Sequence, residues 1–440
     1  MKRILILGAG LISRPGVVLL LENGYQVTVA TRSVHKAQAI VAGHANGTAM
    51  ELLVEEGDRL DALVKANDIV VSLLPWTLHP IVARCCLKNS THMATSSYVS
   101  EEMRRLDPEV RAKDLLFLNE IGVDPGLDHM SAMSVIDAVH ARGGRIRHFY
   151  SYCGGLPAPD DNDNPFGYKF SWSPRGVVLA SRNAARYLEN GETVSIPGED
   201  LFLHKRIDRI DGLGEFEVYP NRDSLPYREI YGLKDTLSLM RGTYRNIGWC
   251  DTFKKIVDLG LVDDTPVKGL TGRSYRWMLA RIAGIVPTDD VAAAIAAKVG
   301  LKKSHFILQN MDWLGLFGKD TIRDADNYLD ALSQLLLDKL SYRAGEKDML
   351  LLRHTFIIEN PDGSEQALTS TLVDFGIPNG DTAMARTVSL PLACGVMLMA
   401  EGKIGLRGVH IPTQAEIYLP VLNELEHLGI KMVEKTSSTP

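Results

Sequence analysis

Paired cysteines are missing from this sequence. Its five cysteines are scattered apart from the adjacent Cys85-Cys86, and no two stand at C-x-x-C spacing. Neither a disulfide framework nor a zinc site is therefore expected, and free thiols fit a reducing compartment. A basic excess is missing as well. With 54 acidic against 48 basic side chains the formal charge is −6, which argues against a nucleic-acid or anionic-membrane surface. No nucleic acid and no membrane are expected as partners, and an anionic ligand would need a local cluster of Arg and Lys. Long hydrophobic runs are missing too. Ile4-Leu5-Ile6-Leu7 stops at Gly8, too soon for a secretory h-region. The apolar stretch around Leu390–Ala400 is about half of the ~20 residues a membrane span needs. A cytoplasmic protein is the expectation. Internal repeats and low-complexity tracts are absent.

What is present is an ordinary globular composition, 45% hydrophobic and 23% charged, over 440 residues. That length implies two or three domains. Residues 3–7 (RILIL) read as a buried parallel strand, followed by a glycine-bearing turn and a helix over 16–23 that Gly24 stops. Further strands fall at 25–30, 69–74, 92–96 and 115–118, with helices at 35–41 and 79–87 between them. Such alternation predicts a doubly wound parallel sheet of Rossmann type. After Asp124-Pro125-Gly126 the pattern changes to a helix near 129–141, a strand over 145–153, and a Gly-, Pro- and Asp-rich stretch over 154–176 that reads as a loop. Tyr168, Phe170 and Trp172 speak against simple disorder there. Residues 233–345 look mainly helical. Asn360-Pro361-Asp362-Gly363 joins two strand patterns in a hairpin, and helices over 382–400 and 415–428 close the chain.

The first motif with chemistry is Gly8-Ala9-Gly10-Leu11-Ile12-Ser13. Gly8 permits the tight turn after the strand and Gly10 lets the backbone approach a pyrophosphate. The following helix offers free N–H groups and its positive dipole end. Ser13 stands where a third glycine is usual, and its small size is expected to allow close helix–strand packing. The acidic residue that normally binds an adenosine ribose is also missing. The second strand ends Thr31-Arg32-Ser33 instead, and an arginine there suits a 2′-phosphate. The expected cofactor is NADP(H). Leu74, at the end of a further strand, and Val123 and Pro125 are expected to border it, because ligands of open α/β sheets bind at the carboxyl ends of strands.

The segments TSSYVS (95–100), NEIGVDPGLDH (119–129), SYCGGLPAPDDNDNPFGYKFSWSPRG (151–176), YPNRDS (219–224) and RGTYR (241–245) resemble those of saccharopine reductases, the NADP-dependent, glutamate-forming saccharopine dehydrogenases. The resemblance covers essentially the whole chain. It implies a small-molecule reaction of lysine metabolism: L-glutamate condenses with α-aminoadipate δ-semialdehyde, and the imine is reduced to saccharopine, reversibly. It implies three parts: a Rossmann domain over 1–125 completed by about 388–440, a mixed α/β substrate and dimerisation domain over 126–240 and about 345–387, and a mainly helical domain over 241–344. A homodimer is expected. The segment from Tyr168 to Ser173 is implied to close over cofactor and substrate, with Ser173 reaching the cofactor; the alternative is a packed Ω-loop.

Saccharopine carries three carboxylates and a secondary amine, and each desolvated carboxylate needs a positive or multi-donor partner. In the matched segments Arg222 and Arg245 are the candidates, with Thr243 and Tyr244 beside the latter. Ser97, Tyr98, Asp124 and Trp172 are expected to contact the rest of the substrate. Asp124, Tyr98 and Cys153 are the candidate general acids and bases, and no metal is expected. His129, next to Asp128 at a helix start, reads as structural. Three alternatives keep much of this: a carboxynorspermidine- or homospermidine-type enzyme, a catabolic enzyme preferring NAD, and a non-catalytic NADP-binding sensor. Arg32 argues against NAD, so KM for NADP(H) is expected to lie below KM for NAD(H) when both are measured in one assay.

Overall fold

The computed structural model describes residues 2–438, which fall into two compact units, residues 1–146 with 352–440, and residues 147–351. The chain passes from one to the other within two long strands, β7 and β13 below. The strands in chain order are β1 (Arg3–Leu7), β2 (Gln26–Thr31), β3 (Gly47–Glu51), β4 (Ile69–Ser72), β5 (His92–Ala94), β6 (Leu116–Leu118) and β7 (Arg145–Pro157). Then follow β8 (Ala185–Glu189), β9 (Glu192–Ile196), β10 (Arg206–Ile210), β11 (Gly214–Pro220) and β12 (Ser238–Asn246). The last four are β13 (Asp348–Glu359), β14 (Glu365–Phe375), β15 (Gly408–His410) and β16 (Val433–Ser438).

In the first unit seven strands form a parallel sheet in the order β15-β6-β5-β4-β1-β2-β3. This is the doubly wound Rossmann arrangement, with the reversal of strand order between β1 and β4. The central strands are continuous apolar runs because helices cover both faces of a parallel sheet. Residues 4–7 and 69–72 are all buried. The edge strand β3 (GTAME) carries no such run, and the hydrophobic pattern does not announce it. β15 returns from the far end of the chain to pair with β6 in register Gly408 to Leu116. Helix Ala383–Ala400 is long and apolar enough to cross a membrane by length and composition, yet 78% of it is buried inside the unit. It serves as a core helix. The strands β13, from Leu352 on, β14 and β16 lie side by side in this unit.

The turn after β1 shows what each small residue does. Gly8 has φ +112°, and a Cβ there would stand 2.9 Å from the carbonyl oxygen of Leu73 at the end of β4. Ser13 does more than its position suggests. It is buried and its hydroxyl donates to the Gly10 carbonyl at 2.9 Å, tying the turn together. The close approach is made one turn later by Gly16. A Cβ there would lie 2.5 Å from the Ser389 carbonyl oxygen, and the Gly16 N–H donates to Ser389 Oγ. Helix Arg14–Glu22 therefore packs on helix Ala383–Ala400 through bare backbone.

In the second unit the strand order β10-β11-β12-β7 combines antiparallel and parallel pairs, and β8 and β9 form a hairpin beside β12. The helices between Trp249 and Lys339 fall in this same compact unit. Their tie to the sheet is aromatic: Trp249 stacks on Phe253 at 4.0 Å, Phe166, Tyr168 and Phe202 pack around the pair, and Phe202 meets Tyr219 of β11 at 4.9 Å.

Gly16→Val should lower stability by about 1–3 kcal/mol, the usual cost of overpacking a filled contact, read as a fall in the urea midpoint. Gly10→Ala, with nothing within 4 Å of the new methyl, should cost under about 0.5 kcal/mol.

Candidate active site

Loops at the carboxyl ends of the parallel strands carry one group of candidate residues. After β1, Gly10 leaves open space where its side chain would be and Leu11 stands exposed beside it. Ile12 and Ser13 lead into helix Arg14–Glu22, whose first N–H groups have no intrahelical acceptors. The turn is open on the side a phosphate would approach, and the helix end supplies donors. After β2, Arg32 is exposed, with no hydrogen bond or ion pair among the described residues, between half-buried Thr31 and Ser33. Such a free guanidinium fits a phosphate group. After β4, Leu74 packs against the core while Trp76 stands exposed. These residues fit a phosphorylated dinucleotide.

After β5 and β6 the chain builds a second cluster. The Tyr98 hydroxyl donates to Asp124 Oδ1 at 2.7 Å. Glu120 holds this pair in place from behind. One of its carboxylate oxygens accepts from Val99 N at 2.9 Å and the other meets His129 Nε2 at 2.9 Å. His129 is fully buried, and Asp128 beside it accepts from Gly126 N. Val123 and Pro125 are buried in the same turn. Ser97 contacts His79, a buried histidine at the start of helix His79–Asn89. Burial pushes that imidazole down to about 4, which keeps it neutral near pH 7.

In the second unit the register of β11, β12 and β7 decides which residues face one way. Tyr219 pairs with Thr243, and Thr243 pairs with Cys153, so the three form a row across the sheet. Glu217 pairs with Arg245 one step along. Asn221 donates to Thr243 Oγ1 at 3.1 Å, and its own carbonyl oxygen is buried without a donor. Tyr244, expected beside the substrate, has its side chain on the opposite face. Its ring packs edge-on against Tyr152 and Phe216, and its hydroxyl is bonded to Asp208. Strand alternation sends residue 244 away from 243 and 245, so Tyr244 packs the back of the sheet.

Arg245 is the most telling residue of this face. It is 5% exposed. Its guanidinium lies 4.9 Å from the ring of Tyr168, 5.3 Å from Trp249 and 5.9 Å from Tyr219. Its Nη1 donates to the Tyr244 carbonyl oxygen, while Nε has no partner. Among the described residues no carboxylate pairs with it. The one directly across the strand, Glu217, is 1% exposed and already engaged: Lys205 Nζ lies 2.6 Å from Oε1, and Cys250 N donates to Oε2 at 2.8 Å. Burial pushes the Tyr219 phenol up to about 12, with Arg245 pulling the other way. A buried cation left without an anion has a large desolvation cost that a bound carboxylate would offset. Arg222 lies half-buried at the end of β11.

The segment expected to close over cofactor and substrate is packed. Residues 167–171 are all buried, and Lys169 Nζ is held at 2.8 Å by both Asp163 and Glu346. Only Trp172 and Ser173 come toward the surface, where Ser173 caps the short helix Pro174–Ala180. The residues that motif reading passed over are His79, Glu120, Asn221 and the rings of Tyr219 and Trp249. Asn221 and Tyr219 lie inside YPNRDS, so strand alternation about Thr243 could have found them; nothing local marks His79.

Known proteins similar to this chain cover nearly all of it. Family models described as the saccharopine dehydrogenase NADP binding domain and the saccharopine dehydrogenase C-terminal domain match residues 4–118 and 122–430. The chain is 39% identical to the NADP(+), L-glutamate-forming saccharopine dehydrogenase of Pyricularia oryzae, covering 99% of each chain. It is also 39% identical to the Saccharomyces cerevisiae enzyme of the same name, again over 99% of each. It is 37% identical to the mitochondrial α-aminoadipic semialdehyde synthase of Rattus norvegicus, covering 48% of that protein. The solved apo structure of the Saccharomyces cerevisiae L-Glu-forming saccharopine dehydrogenase superimposes with TM-score 0.91 and 38% identity over all of both chains.

Arg245→Met should leave the denaturation midpoint unchanged or raise it, because a thioether in the aromatic box carries no desolvation cost. A loss above about 2 kcal/mol would make Arg245 a structural residue.

Proposed function

The chain belongs to the saccharopine dehydrogenase family, and from that membership we infer that it interconverts saccharopine with L-glutamate and α-aminoadipate δ-semialdehyde in lysine metabolism. It is an NADP(H)-dependent oxidoreductase acting on a CH–NH bond. The observation that carries this reading is identity near 39% along the entire chain to NADP(+), L-glutamate-forming enzymes. Since the matched relatives are saccharopine enzymes, the polyamine-forming alternative and the non-catalytic sensor are not favoured.

In the forward direction the glutamate amine attacks the aldehyde carbon, a C–N bond forms and water leaves. NADPH, held by the residues named below, would supply the hydride for the resulting imine carbon, and a proton completes the secondary amine. What the protein must do is bind, orient and move protons. Gly8, Gly10, Leu11, Ile12 and Ser13 are proposed to hold the pyrophosphate, and Thr31, Arg32 and Ser33 the phosphorylated ribose. Leu74, Val123 and Pro125 would border the nicotinamide end, and Ser173 is retained as a cofactor contact.

Arg222, Arg245 and Thr243 are proposed to take substrate carboxylates, since a buried guanidinium prefers a bidentate anion. The Arg245 charge has no internal competitor because Lys205 and the Cys250 N–H occupy Glu217. Asp124, with one oxygen on the Tyr98 hydroxyl, is proposed to charge-pair the substrate amine and to exchange a proton with it. Tyr98 and Cys153 are the other proposed acid–base groups, Ser97 a hydrogen-bonding contact and Trp172 an apolar one. The three-part domain division, a homodimer and a cytoplasmic location remain part of the proposal. No nucleic acid or membrane partner is included.

The purified protein should oxidise NADPH when given L-glutamate and the semialdehyde, and reduce NADP+ when given saccharopine; absence of both would remove the reading. Arg245→Ala should raise KM for saccharopine by roughly 10- to 100-fold, the usual loss for a charged hydrogen-bonded pair, with affinity for NADPH measured by fluorescence nearly unchanged.

A further inference from the structure

Four polar groups of the first unit form a closed chain of which the proposed chemistry uses only Ser97. Ser72 ends β4, His79 begins helix His79–Asn89, and Thr95 and Ser97 follow β5. Ser72 Oγ lies 2.8 Å from His79 Nδ1. His79 Nε2 lies 2.8 Å from Ser97 Oγ and 3.4 Å from Thr95 Oγ1. The Thr95 hydroxyl donates to the Ser72 carbonyl oxygen at 2.8 Å, and the Thr95 oxygen accepts from Ser97 N–H at 3.3 Å. Ser72, Thr95 and His79 are buried, while Ser97 is half-buried.

Donor and acceptor accounting gives this chain a direction. A threonine hydroxyl has a single hydrogen, and that of Thr95 is already committed to the Ser72 carbonyl. Toward His79, Thr95 Oγ1 can therefore only accept, so Nε2 carries the hydrogen. The imidazole is neutral because burial disfavours its charged form, so Nδ1 is a lone pair. It accepts the hydroxyl hydrogen of Ser72, which has no other acceptor among the described residues. The opposite tautomer would strand the Ser72 hydrogen in a buried place and set two lone pairs against each other at Nε2 and Thr95 Oγ1. Nε2–H thus donates to the Ser97 oxygen, and the Ser97 hydrogen is left with no acceptor within the chain.

We infer that His79 is a positioning residue that fixes Ser97 as a hydrogen-bond donor, so that the site beside Tyr98 selects an acceptor, a carboxylate or carbonyl oxygen of the substrate. An unconstrained serine hydroxyl donates or accepts with equal ease. Here the accepting side of Ser97 is already taken by an imidazole N–H, and one polarity remains. The inference rests on the reading of Ser97 as a substrate contact.

Steady-state kinetics on the full-length enzyme test it. Ser97→Ala should raise KM for saccharopine by roughly 10-fold. His79→Leu should raise it by a similar factor, with kcat and KM for NADP+ within about twofold of the parent. His79→Gln, which keeps an N–H near the Nε2 position, should recover most of the loss. In the Ser97→Ala background, His79→Leu should add less than about twofold, because the two act as one unit. Ser72→Ala, a smaller change that frees Nδ1, gives a second route if His79→Leu folds poorly, and should raise the same KM less. Full additivity of the His79 and Ser97 losses, or a Gln variant no better than Leu, overturns the relay while leaving the substrate role of Ser97 intact. A Ser97→Ala variant with unchanged KM overturns both.

Discussion

Strands β1 to β6 run parallel, and that constraint orders everything built on the first unit. A parallel strand ends where its neighbours end, so the turns after β1, β2, β4, β5 and β6 all emerge at one edge of the sheet. Gly8 through Ser13, Thr31 through Ser33, Leu73 through Trp76, Thr95 through Tyr98 and Val123 through Gly126 are far apart in sequence and adjacent for this reason. The reversal of strand order between β1 and β4 opens the crevice that the glycine turn occupies. Backbone proximity there is extreme, since Gly8 sits against the Leu73 carbonyl. Any side chain at Gly8 would push apart the two strands whose separation defines the cofactor site.

A different rule, the alternation of side chains along a strand, orders the second unit. It assigns Cys153, Tyr219, Thr243, Glu217 and Arg245 to one face and Tyr152, Phe216 and Tyr244 to the other. The first face gathers polar groups and the second is aromatic packing. On the polar face the charges are sorted. Glu217 is satisfied twice over, by an ammonium and by a backbone N–H, and the arginine opposite it is left with rings for company. An Arg–Glu pair across the strand would have been the simpler solution for stability. The observed sorting keeps a buried positive charge available for an anion that the chain itself does not supply.

Much of the fold was legible because its signals are local. β1 and β4 are apolar runs bounded by glycine or proline, and the hairpin at Asn360-Pro361-Asp362-Gly363 joins β13 and β14 as its turn residues require. The edge strand β3 and strands β10 and β11 were not legible. β3 and β10 are partly exposed and carry polar residues in their interiors, and their pairing is set by partners rather than by their own pattern. The site divides in the same way. The glycine turn and Arg32 could be read from residue type and spacing. The roles of Ser13 and Gly16 could not, because the contact that requires Gly16 comes from Ser389, 373 residues away. Tyr244 was misplaced because a five-residue motif says nothing about which face each member takes.

The buried polar groups of each unit sort into two kinds. A neutral imidazole in a closed chain of hydroxyls and a guanidinium among rings both sit where water cannot serve as partner, so each hydrogen and lone pair has a fixed use or a conspicuous vacancy. Satisfied groups, such as Ser72, Thr95 and Glu217, hold geometry and are indifferent to ligand. Arg245, whose Nε is unpaired among the described residues, is left one partner short, and what completes such a group is an oxygen acceptor.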